Sequence, residues 1–416
     1  MIFTALPDEQ RNINMIREVR GGDYVIVRMT PTMIAKNNLD ANALLRDLLE
    51  KAGIVNYEEL ENGHEHKVSS IAVFIQKNKT TSVKMNFYRV TNSRGDRRFS
   101  IETIKRKMHD KEVCEGDLLY FATYRDIDGN SRIFMINLTS NTPSKEQIIS
   151  AVGMDKISQK FEEIKPRLVE ILDGSWFDNS KGEGPKDPKD VGDTLESLLL
   201  VETNNRHDAD LDGLIEIKAK ASKTLDTLFT LRPRFEGTTI ATVEPSDKSR
   251  VSAFTRFYGY ESESHPNSNS LYITIGSKEA PQNTQGFYLE VDEENSVVNL
   301  MRQSSSNKSE VTAFWTFEDL KKQLEDKHPS TLWVRANERT VGNMVQFQYT
   351  EIEFSRAPQF MTFLALIKTG VITYDWRGYT TKTGKYTGKN HGNAWRIRPK
   401  SKSDLFGEIS IVDLTK

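Results

Sequence analysis

The chain has 416 residues, a hydrophobic fraction of 37%, a charged fraction of 28% and a formal net charge of −2. These values are typical of a soluble globular protein with two or three domains. The start has no signal-peptide pattern, and the most apolar run, Phe360 to Ile367, is too short to span a bilayer. The single cysteine, Cys114, excludes an intrachain disulfide and a cysteine zinc cluster. We therefore expect a cytoplasmic protein with no membrane partner.

Positive charge is concentrated in two stretches of this nearly neutral chain. Residues 371–402 contain eight basic residues against one acid, and residues 77–111 contain eleven against three. Two separate basic surfaces favour local contacts with phosphates. Ordinary solvated charge is the alternative, and composition by itself does not decide between the two.

The first 142 residues favour β-structure. Runs of β-branched and aromatic residues predict five strands, and Asp128-Gly129 indicates a hairpin turn between the last two. The predicted strands are residues 23–28, 68–76, 82–90, 117–124 and 132–138. One helix, over residues 42–52, interrupts them, and the pattern predicts a small barrel-like domain.

A polar, turn-forming stretch at residues 139–144 predicts a boundary between two domains, 1–142 and 143–416. Ser144 and Gln147 form the pattern of a capping box at the start of a helix. The second domain mixes helices and strands, which indicates an α/β fold. Its predicted helices are 144–172 with a break, 193–200, 316–327 and 359–369, and its predicted strands are 213–219, 271–275, 286–291, 297–301, 331–335 and 344–354.

Residues 177–190 have the composition of a mobile loop. Such a loop is either a lid that closes over a cleft or a plain connector, and composition does not choose between them.

The segment from Asp208 to Lys218 is the most informative part of the chain. Strand alternation at its end places Glu216 and Lys218 on one face, with isoleucines on the other. A lysine ammonium beside carboxylates can orient a water molecule and offset the charge that develops on a phosphate. The pattern is typical of metal-dependent enzymes that cleave DNA.

An upstream aspartate completes the predicted metal site, and two are available, Asp210 and Asp212. Either carboxylate, together with Glu216, offers the oxygen ligands that a hard cation such as Mg²⁺ prefers. The alternative is a solvent-facing strand edge with paired charges. Other Glu-x-Lys tripeptides, which require no chemistry, occur at residues 65–67, 163–165 and 325–327. The copy at Glu216 differs because it combines a strand pattern, a nearby acid and an apolar flank.

Seven sequence blocks follow one another along the second domain: residues 174–176, 192–199, 208–218, 225–230, 314–320, 374–377 and 390–397. In composition and order they resemble the MvaI/BcnI family of restriction endonucleases, relatives of the MutH mismatch-repair nuclease. The resemblance covers roughly residues 145–416. An ordered series of blocks is far more specific than any one motif.

This resemblance implies a PD-(D/E)xK nuclease fold and a monomeric, Mg²⁺-dependent type II restriction endonuclease. Its implied substrate is double-stranded DNA with a short GC-rich site of the CCWGG or CCSGG type. Asp210 and Glu216 fall on the family's metal-binding positions, and Lys218 falls on its catalytic lysine. Glu196 matches a supporting helix glutamate, and the spacing from it favours Asp210 over Asp212. The chain has one more residue between that aspartate and Glu216 than the family pattern, which a small bulge would absorb and which leaves Asp212 as the alternative metal ligand.

The resemblance also implies that a carboxy-terminal set of side chains reads base edges in the DNA grooves. Arginine can donate twice to guanine, and aspartate can accept from a cytosine amine. The implied readers are Asp375, Arg377, Asn390, His391 and Arg396. Lys389-Asn390 departs from the histidine-aspartate pair of the family, so that part of the readout differs. The alternative for His391 is a turn residue tied to Gly392.

The amino-terminal domain resembles the effector domain of the EcoRII endonuclease, a DNA-binding pseudobarrel. The residues that carry the resemblance are 28–32 and 86–98. It implies that the domain binds a second copy of DNA as an effector, as in type IIE enzymes. The candidate DNA-binding residues are Arg28, Arg89, Asn92, Arg94, Arg97 and Arg98. The alternative is a basic hairpin that contacts only phosphates.

Two hypotheses compete with a restriction endonuclease. One is a strand-specific nickase like the repair relative, and the other is a catalytically inactive protein that reads DNA sequence or methylation. The complete Asp, Glu and Lys set favours the enzyme, because an inactive homologue has no chemical reason to keep all three.

Overall fold

The computed structural model describes residues 4–92, 94–200, 208–221, 225–304, 308–407 and 409–412. The chain divides into two compact units, Met1–Gln159 and Lys160–Lys416. Within the described ranges, none of the helices has the length and apolar character needed to cross a membrane.

The amino-terminal unit is built on one seven-stranded sheet. Its strands are β1 (Tyr24–Arg28), β2 (Leu39–Asp40), β3 (Val68–Ile75), β4 (Thr80–Arg89), β5 (Arg97–Ile101), β6 (Leu118–Arg125) and β7 (Ser131–Asn137). Their order is β1-β6-β7-β3-β4-β5-β2. Neighbouring strands are antiparallel except β3 and β7, which are parallel. Because β1 and β2 lie at the two ends, the sheet is an open half-barrel rather than a closed barrel.

Both faces of this sheet are apolar. The helices of the unit are α1 (Pro7–Val19), α2 (Pro31–Lys36), α3 (Ala43–Lys51), α4 (Ile104–His109) and α5 (Lys145–Val152). In β6, Leu119 and Phe121 pack into a core shared with α3, whereas Leu118 and Tyr120 pack into a core shared with α1 and α5. Strand alternation therefore gives the sheet two cores.

All five predicted strands and the helix at 42–52 are confirmed to within two residues. The capping box is also confirmed, since the Ser144 backbone N–H donates to the Gln147 side chain at 2.8 Å. The helix that it begins, α5, packs Ile148 and Val152 against α1. The amino-terminal unit therefore extends to residue 159, beyond the boundary at 142/143 that the sequence predicts.

The carboxy-terminal unit mixes both element types, as predicted. Its helices are α6 (Lys156–Ile171), which begins before the boundary at residue 159, α7 (Asp190–Leu198), α8 (Thr239–Val243), α9 (Arg250–Tyr258), α10 (Phe317–Lys327), α11 (Phe360–Lys368) and α12 (Lys402–Phe406). Its strands are β8 (Phe177–Asp178), β9 (Glu216–Lys220), β10 (Asp226–Thr230), β11 (Tyr260–Glu261), β12 (Ser268–Ile275), β13 (Phe287–Asp292), β14 (Val297–Gln303), β15 (Ser309–Thr316), β16 (Ser330–Val341), β17 (Met344–Arg356), β18 (Ile372–Thr381), β19 (Gly388–Asn390), β20 (Ala394–Ile397) and β21 (Ser410–Ile411).

These strands form three sheets. The first has the order β21-β17-β16-β9, with β8 paired to β17. The second has the order β10-β20-β18-β12-β11, with β19 paired to β18, and the third is β13-β14-β15. Strand β9, which carries the acidic motif, lies at the edge of the first sheet and runs parallel to β16, with Thr331 opposite Glu216.

The core of this unit determines which residues of the second sheet face outward. Tyr374 and Trp376 of β18 and Trp395 of β20 are buried together with Trp315. Because side chains alternate along a strand, Asp375 and its neighbours two residues apart lie on the opposite face of β18.

The loop predicted at residues 177–190 is anchored at both ends. It begins with β8, and the buried side chain of Asn179 donates to the Asp190 carboxylate at 2.8 Å. Lys186, near its middle, forms an ion pair with Glu338. These contacts are those of a connector fastened to the fold.

Candidate active site

The acidic segment folds as a tight turn that leads into β9. The Leu211 N–H donates to the Ile215 carbonyl at 2.9 Å, which closes the turn. Asp212 and Gly213 both have left-handed backbone conformations, with φ of 54° and 71°. Glycine adopts this conformation without steric cost, and aspartate tolerates it better than most residues.

The two candidate aspartates have different surroundings. Asp210 is held against β9, because its Oδ2 accepts a hydrogen bond from the Ile217 N–H at 2.8 Å. Burial, followed by the negative charge of Glu216, raises the pKa of Asp210. Asp212 is exposed, and its carboxylate pairs with the Lys160 ammonium at 2.8 Å. The structure therefore brings Asp210, and not Asp212, beside Glu216.

Glu216 is a buried carboxylate held by two lysines. The residue is only 1% exposed, and its oxygens pair with Lys218 and, at 3.4 Å, with Lys327. Lys327 also donates to the carbonyl of Asp208 at 3.0 Å, which fixes the start of the acidic segment. Because a buried carboxylate is costly without a cation nearby, the two lysines stabilise Glu216 at this position.

Sequence reasoning missed Lys327. It belongs to the Glu-x-Lys copy at residues 325–327, which the pattern assigns to a helix without chemistry, and it does end helix α10. The chain turns there and enters β16, which pairs in parallel with β9 and so brings Lys327 to Glu216. No local pattern signals a contact over 111 residues of sequence.

Two further ionisable groups complete the cluster. Burial alone would lower the pKa of Lys218, but the charge and hydrogen bond of Glu216 outweigh it, so the pKa is raised and the ammonium stays charged. Glu196 lies on α7, where burial and then the charge of Asp210 raise its pKa to about 7. Burial is the larger cause of both raised carboxyl pKa values, and the second cause, the charge of a neighbouring carboxylate, is one that a bound cation would relieve.

The donor set fits Mg²⁺. Among the residues that the structure describes, no group of three or more histidine, cysteine or acidic side chains is arranged to hold a metal ion. Magnesium is usually held by one or two carboxylates, with water and substrate phosphates as its other ligands. Asp210 and Glu216 supply two such carboxylates, with hard oxygen donors and surplus negative charge.

Three of the predicted base-reading residues form one cluster. Asp375 on β18 is 5% exposed and pairs with Arg377 and with Arg396 of β20, each at 3.1 Å. The Thr274 hydroxyl donates to the same carboxylate at 2.7 Å, and Arg396 donates to the Thr227 hydroxyl. Asp375 thus orients both guanidinium groups. The two threonines have no sequence signal, since they come from β12 and β10.

Asn390 and His391 lie at the end of β19, and both side chains are exposed. The His391 N–H donates to the Arg377 carbonyl at 2.9 Å, which places the loop beside the cluster. The Asn390 side chain accepts from the Gly392 N–H at 3.1 Å, and Gly392 has a positive φ of 81°. His391 therefore lies in a turn with Gly392, and its side chain is also exposed beside the Asp375 cluster.

Arg28 of the amino-terminal unit is part of an internal network. Its guanidinium pairs with the buried carboxylate of Glu9 at 2.7 Å and donates to the carbonyls of Thr4 and Gly116 at 2.9 and 3.0 Å. Burial would raise the pKa of Glu9, but the contacts with Arg28 and other donors outweigh it, so the pKa is lowered. Arg28 joins α1 to β1.

The other predicted amino-terminal residues lie near the β4–β5 hairpin. Arg97 pairs with Glu58 at 2.7 Å, and Arg98 pairs with Asp40 and, at 3.4 Å, with Asp96. The remaining three residues are Arg89, Asn92 and Arg94. Arg89 donates to the Leu60 carbonyl at 3.3 Å, Asn92 donates to Asp96 at 3.0 Å, and Arg94 is exposed.

Comparison with known proteins identifies the family of this chain. The sequence model of the MvaI/BcnI restriction endonuclease family matches residues 166–406, more than half of the chain. A solved complex of the restriction endonuclease MvaI with its cognate DNA substrate is 22% identical and has a TM-score of 0.51, covering 62% of this chain and 99% of that one. MvaI without DNA is 20% identical with a TM-score of 0.39, covering 62% and 100%. Among curated proteins, none matches. The structural likeness to the complex shows the fold, and the family match shows that the chain belongs to the MvaI/BcnI restriction endonuclease family.

Proposed function

We propose that this protein is a cytoplasmic, monomeric, Mg²⁺-dependent type II restriction endonuclease that cuts both strands of DNA within a CCWGG- or CCSGG-type site. Family membership supports site-specific DNA cleavage. The observation that carries the proposal is the arrangement at β9, where Asp210 is hydrogen-bonded to the strand that bears Glu216 and Lys218.

The proposed roles follow from these contacts. Asp210 and Glu216 would hold Mg²⁺, which supplies charge neutralisation at the phosphate and makes water at the site more acidic. Lys218 stays protonated, so it orients the attacking water and donates toward the negative charge that develops on the phosphate. Lys327 pairs with Glu216 and would hold this carboxylate in position before DNA binds.

The Asp375 cluster is proposed to read the target. The side chains of Arg377 and Arg396 are 29% and 26% exposed, so each can donate to a guanine edge while Asp375 keeps it oriented. Asn390 and His391 extend the same surface through the β19 loop. Salt-bridged arginines held in one geometry lose less freedom on binding than mobile ones.

The test is incubation of the protein with plasmid DNA in Mg²⁺ and, in parallel, in EDTA. Linear product in Mg²⁺ only, with 5′-phosphate and 3′-hydroxyl ends at one repeated sequence, supports the proposal. Nicked circles as the final product would indicate a strand-specific nickase. Specific binding without cutting would indicate an inactive reader of sequence or methylation.

We also propose that residues 1–142 bind a second copy of DNA as an effector. The support is the β4–β5 hairpin, which presents Asn92 and Arg94 at its exposed tip and the paired Arg97 and Arg98 behind it. An effector must favour one state of the enzyme over another, so its binding energy has to differ between the two states. A plasmid with two sites should then be cut faster than one with a single site, and added cognate duplex should stimulate the slower reaction. Equal rates, with non-specific and steeply salt-dependent binding, would leave only an electrostatic tether.

A further inference from the structure

A cleft of about 840 Å³ opens at the end of β9, and its lining is basic. It is entirely within the carboxy-terminal unit. Its charged and polar lining residues are Lys220, Arg335, Asn337, Glu353, Arg398 and Lys400. The acid of this set, Glu353, forms an ion pair with Lys402, so its charge is already matched.

The cleft continues the row of side chains that forms the candidate active site. Glu216, Lys218 and Lys220 are two residues apart along β9, so all three lie on one face of the strand. Lys220 therefore follows Lys218 by roughly 7 Å. Arg335 of β16 lies directly opposite Lys220 in the parallel pair. A DNA strand that presents its scissile phosphate to Lys218 would pass neighbouring phosphates over the cleft.

The charges in the cleft are crowded. Lys220 donates to the Leu225 carbonyl at 2.7 Å and pairs with Asp226 at 3.1 Å. Burial, together with the positive charges of Arg335 and Arg396, nevertheless holds its pKa below the ordinary value. Within the described ranges of the chain, neither Arg335 nor Arg398 has an acidic partner. Unmatched positive charge in a concave surface attracts an anion.

We propose that this cleft binds backbone phosphates of the cleaved DNA strand next to the scissile phosphate, with Arg335 and Arg398 as positioning residues. The proposal rests on the proposed nuclease function. Guanidinium groups suit the role, because their planar donors match phosphate oxygens in pairs. Contacts with phosphates set the register of a protein on DNA and carry no sequence information by themselves. The cleft therefore aligns the strand, whereas the Asp375 cluster selects the site.

The experiment measures the affinity of the full-length protein for short cognate and non-cognate duplexes in EDTA over a range of KCl concentrations. The variants are Arg335→Ala, Arg398→Ala, Arg335→Lys and, as a control, Arg167→Ala, an arginine of the same unit on α6 that pairs with Glu170. Arg335→Ala and Arg398→Ala should each reduce the slope of log affinity against log salt by about 1, and the affinity loss should be equal for both duplexes. Arg335→Lys should recover part of the affinity because it keeps the charge.

Unchanged slopes relative to Arg167→Ala would overturn the proposal, and so would a loss confined to the cognate duplex. Arg398 is exposed, so its variant is expected to fold even if Arg335→Ala does not, and thermal melting checks both. Failure of the nuclease proposal is separate: it would appear as wild-type protein that does not cut in Mg²⁺. Wild-type cutting with unchanged slopes would reject the cleft alone.

Discussion

Charge is arranged in opposite ways at the β9 edge and in the amino-terminal unit. At β9, the pKa values of Asp210 and Glu196 are raised, first by burial and then by the charge of a neighbouring carboxylate, which is Glu216 for Asp210 and Asp210 for Glu196. In the amino-terminal unit, Arg28 and Arg97 are each matched to a carboxylate within the fold. Surplus charge of one sign marks a place prepared for an opposite charge, whereas matched charge marks a contact that stabilises the fold.

This difference gives more support to the predicted residues at β9 than to the predicted DNA-binding residues of the amino-terminal unit. Both were chosen by residue type and resemblance, and both remain predictions as functional residues. The β9 set gains support from geometry, because Asp210, Glu216 and Lys218 are brought together at the edge of one sheet. Arg28, by contrast, has a complete structural explanation, so phosphate or base contacts by it would require breaking its pair with Glu9.

The largest expected effect is the loss of cleavage in Lys218→Ala. Cleavage should fall by about 100-fold or more, with DNA binding nearly unchanged, because the ammonium acts on the transition state. Single-turnover plasmid cleavage and duplex binding measure the two quantities. The control is Lys165→Ala, which alters another Glu-x-Lys copy on α6 and should cut normally. Cutting by Lys218→Ala within about tenfold of wild type would remove this lysine from the site.

Asp210→Ala and Asp212→Ala form a matched pair of variants, because the two aspartates are two residues apart in the same turn. We expect the first to abolish cleavage, because it removes a carboxylate fixed to β9, and the second to cut at nearly the wild-type rate. Because the Asp212 side chain is exposed and Lys160 also pairs with Glu163, loss of the pair between Asp212 and Lys160 should change stability by no more than about 1 kcal/mol. Titration of the cleavage rate with Mg²⁺ distinguishes lost metal affinity from misfolding. If Asp212 proves essential, the assignment across the turn is wrong.

Arg28→Ala should act on stability rather than on DNA reading. Removing it leaves the buried Glu9 carboxylate without its cation, which should cost about 3 kcal/mol of unfolding free energy. Urea denaturation measures this cost. Arg94→Ala, on the exposed hairpin tip, is the control and should change stability by less than about 0.5 kcal/mol. A stable Arg28→Ala protein with reduced DNA binding would show that the internal pair is incidental.

Arg377→Ala and Arg396→Ala should each weaken cognate binding by about 1–3 kcal/mol if each makes a bidentate guanine contact. Non-cognate binding should change little. Fluorescence anisotropy with duplexes that differ at single base pairs identifies which pair each arginine reads. An equal loss on every sequence would instead indicate that these arginines contact phosphates. The Asp375 cluster and the cleft with Arg335 would then have the same role.

The smallest expected effect is a pH dependence set by His328, which is fully buried between Thr331 and the Leu228 carbonyl. Burial and then the charge of Lys218 lower its pKa from 6.5 to about 3. Because the folded pKa is depressed, its contribution is complete above pH 6.5 and is lost as the pH falls toward 3, at up to about 1.4 kcal/mol per pH unit. Urea denaturation between pH 7 and 5 should show a smaller slope for His328→Gln than for wild type. Equal slopes would mean that this histidine is not neutral in the fold.

A buried group of the amino-terminal unit, Glu112, should affect the pH dependence of stability in a different pH range from His328. Glu112 is buried, and although burial would raise its pKa, hydrogen bonds from Lys107 and Lys79 lower it from 4.5 to about 2. Its stabilising contribution is therefore present above pH 4.5 and is lost only as the pH falls toward 2. Between pH 7 and 5 this group should contribute no slope.

Local signals determined much of the fold. Runs of β-branched and aromatic residues predicted β3, β4, β6 and β7, and the capping box predicted the start of α5 at Ser144. Other elements were missed for local reasons. Helix α1 has few apolar residues, and β18 is buried on both faces, so its sequence lacks the alternation of a half-buried strand.

The sequence by itself determined the residues of the acidic motif and their shared strand face, because side-chain direction depends only on the backbone period. Only the tertiary structure decided that Asp210 rather than Asp212 faces β9, that Lys327 reaches Glu216, and that Lys220 meets Arg335. Those contacts depend on a turn with two left-handed residues and on the parallel pairing of β9 with β16. The turn and the pairing both depend on how the whole unit buries its apolar side chains, because strands that are far apart in sequence share no local pattern that predicts their pairing.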